Sequence, residues 1–152
     1  MVAHYTQEEI EAMIACPKVI VQPLAKKWDG KPKHRQNEME LRSADGKYEY
    51  KVFLRQNVEF EENFSIGVRG REKGKPWMTL LRVNGPHGPN KEIRHHEKPH
   101  VHYHDFDNFT GDPALAIPVE DYFSLNEAIV YFFKKINLPI SSDYFGGLFA
   151  RT

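Results

Sequence analysis

Cysteine is almost absent from the sequence, since Cys16 is the only one in 152 residues. A single cysteine cannot form an intramolecular disulfide, and it excludes a zinc site built from paired cysteines. Cys16 lies between Ala15 and Pro17, a setting that favours a buried, unreactive thiol over a nucleophile. The sequence also lacks a membrane-length apolar run and a secretory signal at its N-terminus. We therefore expect a cytoplasmic protein without a membrane partner.

Net charge is absent as well, because 21 Lys and Arg balance 21 Asp and Glu. The charges are nevertheless spread unevenly along the chain. Residues 65–104 contain eight basic and three acidic side chains, a net charge of +5, whereas residues 105–152 have a net charge of −4. A basic segment in a neutral protein suits a local anionic ligand better than a long polyanion. The alternative is an uneven distribution of solvated surface charge.

Length and patterning predict one α+β domain over residues 1–152. Thr6 with Glu9, and Ser124 with Glu127, are spaced as capping boxes and predict a helix near each end of the chain. Between them, apolar residues alternate with polar ones and predict an antiparallel meander of about five or six strands, on which both helices pack. Residues 25–37 are polar, contain glycine and proline, and are predicted to form a loop.

Histidine is concentrated in one segment, since six of the eight histidines lie between His87 and His104. If residues 100–106 form a strand, His100, His102 and His104 share one of its faces, opposite the apolar residues between them. A rise of about 3.3 Å per residue separates the outer two by roughly 13 Å, so they cannot bind the same metal ion.

Three interpretations of this cluster stay open. The first is zinc bound by neighbouring members of the trio His100, His102 and His104, with further ligands from elsewhere, although no familiar metal-binding spacing is present. The second is acid–base catalysis without a metal or other cofactor, which needs imidazoles together with cations for a phosphate. The third is a histidine-rich surface strand without a site.

For the acid–base interpretation we assign the roles by residue type. The candidate proton-transfer groups are His87, His100 and His102, and the candidate phosphate-binding groups are Arg82, Lys91 and Arg94. The segment around His87 is rich in glycine and proline, so its backbone can approach a ligand closely. Near neutral pH, such a set of residues could cleave RNA by using the 2′-hydroxyl group of the RNA as the nucleophile.

The segments "RVNGPHGPN" and "KPHVH" resemble a motif of the TumE-type toxins of bacterial type II toxin–antitoxin systems and of related uncharacterised bacterial proteins. The matching positions are Arg82, Asn84, Pro86, His87, Pro99, His100 and His102. The sequence departs from the motif at Val83, where the family has aspartate, and at Gly88, where it has a second histidine. The resemblance implies a small toxin that acts on RNA and is neutralised by an antitoxin protein.

Two functional hypotheses follow. The first is a toxin-like, metal-independent ribonuclease whose substrate is RNA and whose partner is an antitoxin. The second is a non-enzymatic interaction or metal-binding module, related to phage or defence functions, whose histidine cluster binds zinc or a partner protein.

Overall fold

The computed structural model describes residues 5–25, 29–30, 33–61, 63–85, 99–103, 115–122 and 124–138. Within these residues the chain forms two helices and one antiparallel sheet. The helices are α1 (Gln7–Ala15) and α2 (Leu125–Lys135). The strands are β1 (Lys18–Gln22), β2 (Asp29–Gly30), β3 (His34–Ser43), β4 (Tyr48–Asn57), β5 (Phe64–Glu72), β6 (Met78–Asn84), β7 (His100–Tyr103) and β8 (Leu115–Pro118).

The sheet is a meander in which β3 to β8 follow one another in space as they do in sequence. Strands β1 and β2 both pair with the outer side of β3, at opposite ends of it. The predicted α+β fold, an antiparallel meander with a helix at each end, is therefore confirmed. The sequence predicts about five or six strands, and the sheet of the described residues contains these together with the short strands at its edges. No helix in the described part of the chain is long and apolar enough to cross a membrane.

Alternation along the strands gives the sheet one apolar face. In β4 and from Asn37 onward in β3, every second residue is buried, and directly opposite residues share a face. Both helices contribute to the core on this side. The core residues of β3 to β5 include Met39, Leu41, Tyr48, Tyr50, Val52, Leu54, Phe64, Ile66 and Val68, and those of the helices include Ile10, Met13, Ala128, Ile129, Phe132 and Phe133.

Both predicted capping boxes are present. The Thr6 hydroxyl accepts from the Glu9 backbone N–H at 3.1 Å, and the Glu9 carboxylate accepts from the Thr6 backbone N–H at 3.1 Å. Ser124 and Glu127 form the same reciprocal pair at the start of α2. Each pair satisfies two backbone donors that the first turn of a helix would otherwise leave without partners.

The prediction of a loop over residues 25–37 is wrong, because β2 and the first residues of β3 lie in this segment. Polar residues form strand here because they find hydrogen-bond partners distant in sequence. The Arg35 guanidinium donates to the Gln56 side-chain oxygen at 2.7 Å and 3.0 Å. The Asn37 side chain exchanges two hydrogen bonds with the backbone of Ala25. The first residues of β3 lack apolar alternation, and for this reason the sequence pattern did not predict a strand there.

A bulge explains why two neighbouring leucines of β6 are both buried. Leu81 lies opposite Val68, and Thr79 lies opposite Arg69, so Leu80 is an extra residue in β6. A Cβ at Gly70, on the core face, would lie 2.7 Å from Leu80 Cδ1. The bulge therefore places the side chains of Leu80 and Leu81 in the same core, where ordinary alternation would separate them.

Lys18, at the start of β1, connects the sheet to the ends of both helices. Its ammonium donates to the carbonyl oxygens of Ile14 at 2.7 Å, Cys16 at 2.9 Å and Ile136 at 2.6 Å. It also lies 4.8 Å from the centre of the Tyr50 ring. Carbonyls at helix C-termini attract a cation because the helix dipole is negative there. Burial lowers the pKa of Lys18 to about 8, an effect that the Cys16 thiol partly opposes.

We expect replacement of Lys18 by methionine to destabilise the protein. The variant keeps the apolar stem but leaves the three carbonyls of Ile14, Cys16 and Ile136 without their donor. Unsatisfied buried acceptors cost about 1–3 kcal/mol each, so the free energy of unfolding should fall by about 2–4 kcal/mol after local adjustment. Urea unfolding at pH 7 measures this change. Lys73→Met, at an exposed turn position, is the matched control and should be nearly neutral.

The contribution of Lys18 should also depend on pH. Its pKa is about 8 in the folded protein and 10.5 without burial, so between these values the unfolded chain holds more protons on this group. Stability then rises with pH across that window. The difference in free energy of unfolding between wild type and Lys18→Met should therefore grow from pH 8 to pH 10.5. A difference that shrinks there would instead mean that the three carbonyls hold the ammonium in its charged form.

Candidate functional site

The pairing of β6 with β7 brings together several of the residues predicted for the site. In the antiparallel register, His102 lies opposite Arg82 and His100 lies opposite Asn84. The pair between them, Val83 and Val101, is fully buried in the core. Directly opposite residues belong to the same face of a sheet, and alternate residues to opposite faces. The backbone positions of His100 and His102 thus belong to the sheet face that the helices do not cover, called the open face below.

Four of the predicted site residues lie outside the described residues: His87, Lys91, Arg94 and His104. Their assignment stays a prediction. Among the residues that the structure describes, no group of three or more His, Cys, Asp or Glu is arranged to hold a metal ion. The zinc alternative therefore also stays a prediction, because it depends on His104 or on other histidines of the cluster.

Arg82 is half-buried, and its Nε atom is buried without a hydrogen-bond partner in the described part of the chain. Buried polar groups without partners are uncommon. A guanidinium can only donate hydrogen bonds, so the Nε–H group needs an acceptor from elsewhere. Next to it, the Asn84 side-chain oxygen accepts from the Ser65 hydroxyl at 2.6 Å, and the Asn84 carbonyl accepts from the Tyr122 hydroxyl at 2.7 Å. These two hydrogen bonds fix the end of β6 beside Arg82, whose Nε–H donor has no partner in the described residues.

A row of residues on the open face leads from Arg82 and His102 back across the sheet. In this row, called the Phe53 row, each residue lies directly opposite the next on the neighbouring strand. Its members are Glu38 on β3, Phe53 on β4, Gly67 on β5, Arg82 on β6 and His102 on β7. Sequence reasoning missed the first three, since they lie far from the histidine cluster in sequence.

The Phe53 ring lies directly on Gly67. A Cβ at Gly67 would overlap the Cζ and Cε1 atoms of this ring, so only glycine leaves room for it. Phe53 is nevertheless only half-buried. The end of the ring, formed by Cζ, Cε1 and Cε2, lies over the glycine, and part of the side chain stays accessible on the open face. An aromatic residue opposite a mid-strand glycine is the sequence signal that could have identified this feature.

The open face also contains a groove of about 680 Å³ over β3, β4 and β5. Its polar lining includes Glu38 and Glu40 on β3, and three cations on β4 and β5. The cations are Lys51, Arg55 and Arg69. Within the described residues, neither Lys51 nor Arg69 forms an ion pair, although the Lys51 ammonium lies 5.0 Å from the centre of the Trp77 ring. These two cations can therefore bind an external anion without first losing a protein carboxylate.

The basic residues of the β5–β6 hairpin differ in their availability. Arg71 donates to the Glu49 carboxylate at 2.9 Å and lies 4.6 Å from the centre of the Trp77 ring. Lys75 contacts the Glu72 carboxylate at 2.8 Å and the Glu9 carboxylate at 3.7 Å. These contacts satisfy Arg71 and Lys75 within the protein. We therefore assign no ligand to them and regard Arg69 as the cation of this hairpin that lines the groove.

Comparison with known families gives one result. Residues 5–138 match DUF6978, which is described as a family of unknown function. The matched range includes both helices and all the strands described above. No curated protein and no solved structure matches the chain.

The contact between Phe53 and Gly67 can be tested by a double-mutant cycle. Gly67→Ala should reduce the free energy of unfolding by about 1–3 kcal/mol, because the added methyl group displaces the ring. In a Phe53→Ala background the same change should be neutral or stabilising, since alanine suits a strand better than glycine when nothing occupies the space. Chemical unfolding of the four proteins measures the coupling. Equal effects of Gly67→Ala in both backgrounds would contradict the contact.

Proposed function

The chain belongs to DUF6978, a family of unknown function, and we propose that it is a toxin-like ribonuclease that cleaves RNA without a metal ion. The observation that supports this proposal is the β6–β7 register, in which His102 lies opposite Arg82 and His100 lies opposite Asn84. Two histidine positions beside a guanidinium supply the residue types needed for proton transfer and for stabilising charge on a phosphate.

The proposed reaction uses the substrate's own 2′-hydroxyl group as nucleophile. One imidazole removes the 2′-hydroxyl proton while the 2′-oxygen forms a bond to phosphorus. The bond from phosphorus to the 5′-oxygen breaks, and a protonated imidazole gives its proton to that oxygen. The products are a 2′,3′-cyclic phosphate and a 5′-hydroxyl end. In this scheme His100 and His102 transfer protons, with His87 as the third candidate, and Arg82 stabilises the negative oxygens on phosphorus.

The departure from the toxin motif at Val83 does not weaken this assignment. Val83 is fully buried and lies opposite Val101, on the face that the helices cover. A valine at this position therefore removes no group from the open face, where the proposed chemistry takes place. The resemblance to TumE-type toxins further supports an antitoxin protein as the partner, with Lys91 and Arg94 as additional phosphate-binding residues.

We expect alanine at His87, His100 and His102 together to abolish cleavage of single-stranded RNA. Loss of one acid–base group costs about 10²–10⁴-fold in rate, and Arg82→Ala should cost about 10²–10³-fold. Cleavage of a labelled RNA oligonucleotide measures both effects, and end-group analysis should find the cyclic phosphate. A triple variant that retains full activity would refute the assignment.

Three controls make this experiment specific. Lys73→Ala removes an exposed cation outside the site and should leave cleavage unchanged. A substrate with a 2′-deoxy sugar at the cleaved position should resist the enzyme, because it lacks the nucleophile. Activity that is lost in a chelator and restored by zinc would contradict metal independence and favour the alternative of zinc bound by neighbouring members of the trio His100, His102 and His104.

A second candidate function is protein binding through the edge strand β1. Within the described residues no strand pairs with the outer side of β1, and Val19, Ile20 and Val21 are 36%, 37% and 55% exposed. Natural edge strands are usually protected by charged residues, but the charge of Lys18 is used inside the protein. An extended segment of a partner, such as an antitoxin, could add to this edge as a further strand.

For this second candidate, Val21→Lys should weaken binding of the partner at least 10-fold, because a charge then lies in the proposed interface. Calorimetry with the purified products of the flanking genes measures the affinity, and the melting temperature of the variant confirms the fold. Val130→Lys replaces an equally exposed valine on α2 and should have no effect. Unchanged affinity in Val21→Lys, or self-association of the chain through β1, would contradict the proposal.

A further inference from the structure

The groove on the open face has a distribution of charge that points to an anionic ligand on one side. Its carboxylates, Glu38 and Glu40, lie on β3, whereas Lys51 and Arg69 lie on β4 and β5. The register pairs Glu40 with Lys51 and Lys51 with Arg69. Positive charge therefore increases from β3 towards β6, the strand of Arg82.

The Phe53 ring gives the groove an apolar surface beside these cations. The ring is part of the groove lining and is supported from beneath by Gly67. Aromatic side chains next to basic ones are the usual combination for single-stranded nucleic acids, since bases stack on the ring while phosphates contact the cations. A base can stack in this way only when it is not stacked within a duplex.

The groove and the β6–β7 site lie on one surface. Phe53 and His102 belong to the same row and are separated by three strand spacings. Strands lie about 4.8 Å apart, so the two positions are roughly 14 Å from each other. The only residue between Phe53 and Arg82 in that row is Gly67, and the end of the Phe53 ring lies over its backbone. The aromatic surface therefore extends from β4 towards Arg82.

We propose that this groove binds a single-stranded segment of RNA, with a base stacked on Phe53 and phosphates on Lys51, Arg55 and Arg69, and thereby places a flanking phosphate at Arg82. This inference rests on the proposed ribonuclease function, because it assigns the substrate path to the same site. It adds a substrate preference: single strands should bind and double-stranded RNA should not compete.

Direct binding measurements test this inference. The probe is a fluorescent 12-nucleotide RNA with 2′-O-methyl groups, which cannot be cleaved by the proposed reaction. Phe53→Leu keeps apolar cover on Gly67 but removes the stacking surface, and should weaken binding about 10-fold. Lys51→Ala/Arg69→Ala should weaken it by a similar factor and reduce the salt dependence, with a log–log slope shallower by roughly one to two. Fluorescence anisotropy at several salt concentrations measures both effects.

The matched control is Lys73→Ala/Lys134→Ala, which removes two exposed cations away from the groove and should leave the affinity unchanged. If this control weakened RNA binding as much as the Lys51→Ala/Arg69→Ala variant does, the loss of affinity would follow from net charge alone, and the inference would be overturned. Unchanged affinity in both Phe53→Leu and the Lys51/Arg69 variant would also overturn it, as would equal competition by double-stranded RNA. If the histidine variants still cleaved RNA, the proposed catalysis would be refuted. The binding measurements on the groove variants would be unaffected, so the two failures can be told apart.

Discussion

The molecule depends on the continuous register of its sheet, which places one face of β3 to β6 against the helices and leaves the other face without helix cover. Between β3 and β6 the same alternation is kept across the strands, with one bulge at Leu80. Both helices use the apolar face, and the ammonium of Lys18 fastens the ends of both to β1 through three carbonyls. The Asn137 side chain adds a direct bond from the end of α2 to the carbonyl of Ala15 at 2.9 Å. This arrangement leaves the second face available for polar chemistry.

Much of the fold could be predicted because its signals are local. The capping boxes at Thr6 and Ser124 are spaced by three residues, and the alternation in β4 needs only its own sequence. The first residues of β3 could not be predicted in this way. Arg35 and Asn37 fit in a strand because they find hydrogen-bond partners distant in sequence. Arg35 donates to Gln56 on the neighbouring strand, 21 residues away, and Asn37 bonds the backbone of Ala25 outside the sheet, 12 residues away.

The candidate site was predictable only in part, for the same reason. Residues of β6 and β7 were recognised because histidines are dense there, and alternation placed Val101 correctly in the core. The groove was missed because its residues come from three strands and only the register brings them together. Phe53 gave a weak local signal, since it interrupts a run of charged residues on the open side of β4. That signal becomes meaningful only once Gly67 is known to lie opposite it.

Gly67 shows how stability and function are joined on the open face. Glycine inside a strand costs roughly 0.5–1 kcal/mol relative to alanine, and packing of the Phe53 ring on its backbone can offset a cost of this size. If stability alone mattered, a pair of larger aliphatic residues at positions 53 and 67 could stabilise the sheet as well, because it would bury more apolar surface. The pair present here instead keeps the Phe53 side chain half-exposed, with the end of its ring over Gly67 on the side of Arg82. The arrangement keeps an aromatic surface beside the groove cations Lys51, Arg55 and Arg69. The proposed binding of single-stranded RNA requires this combination of ring and cations.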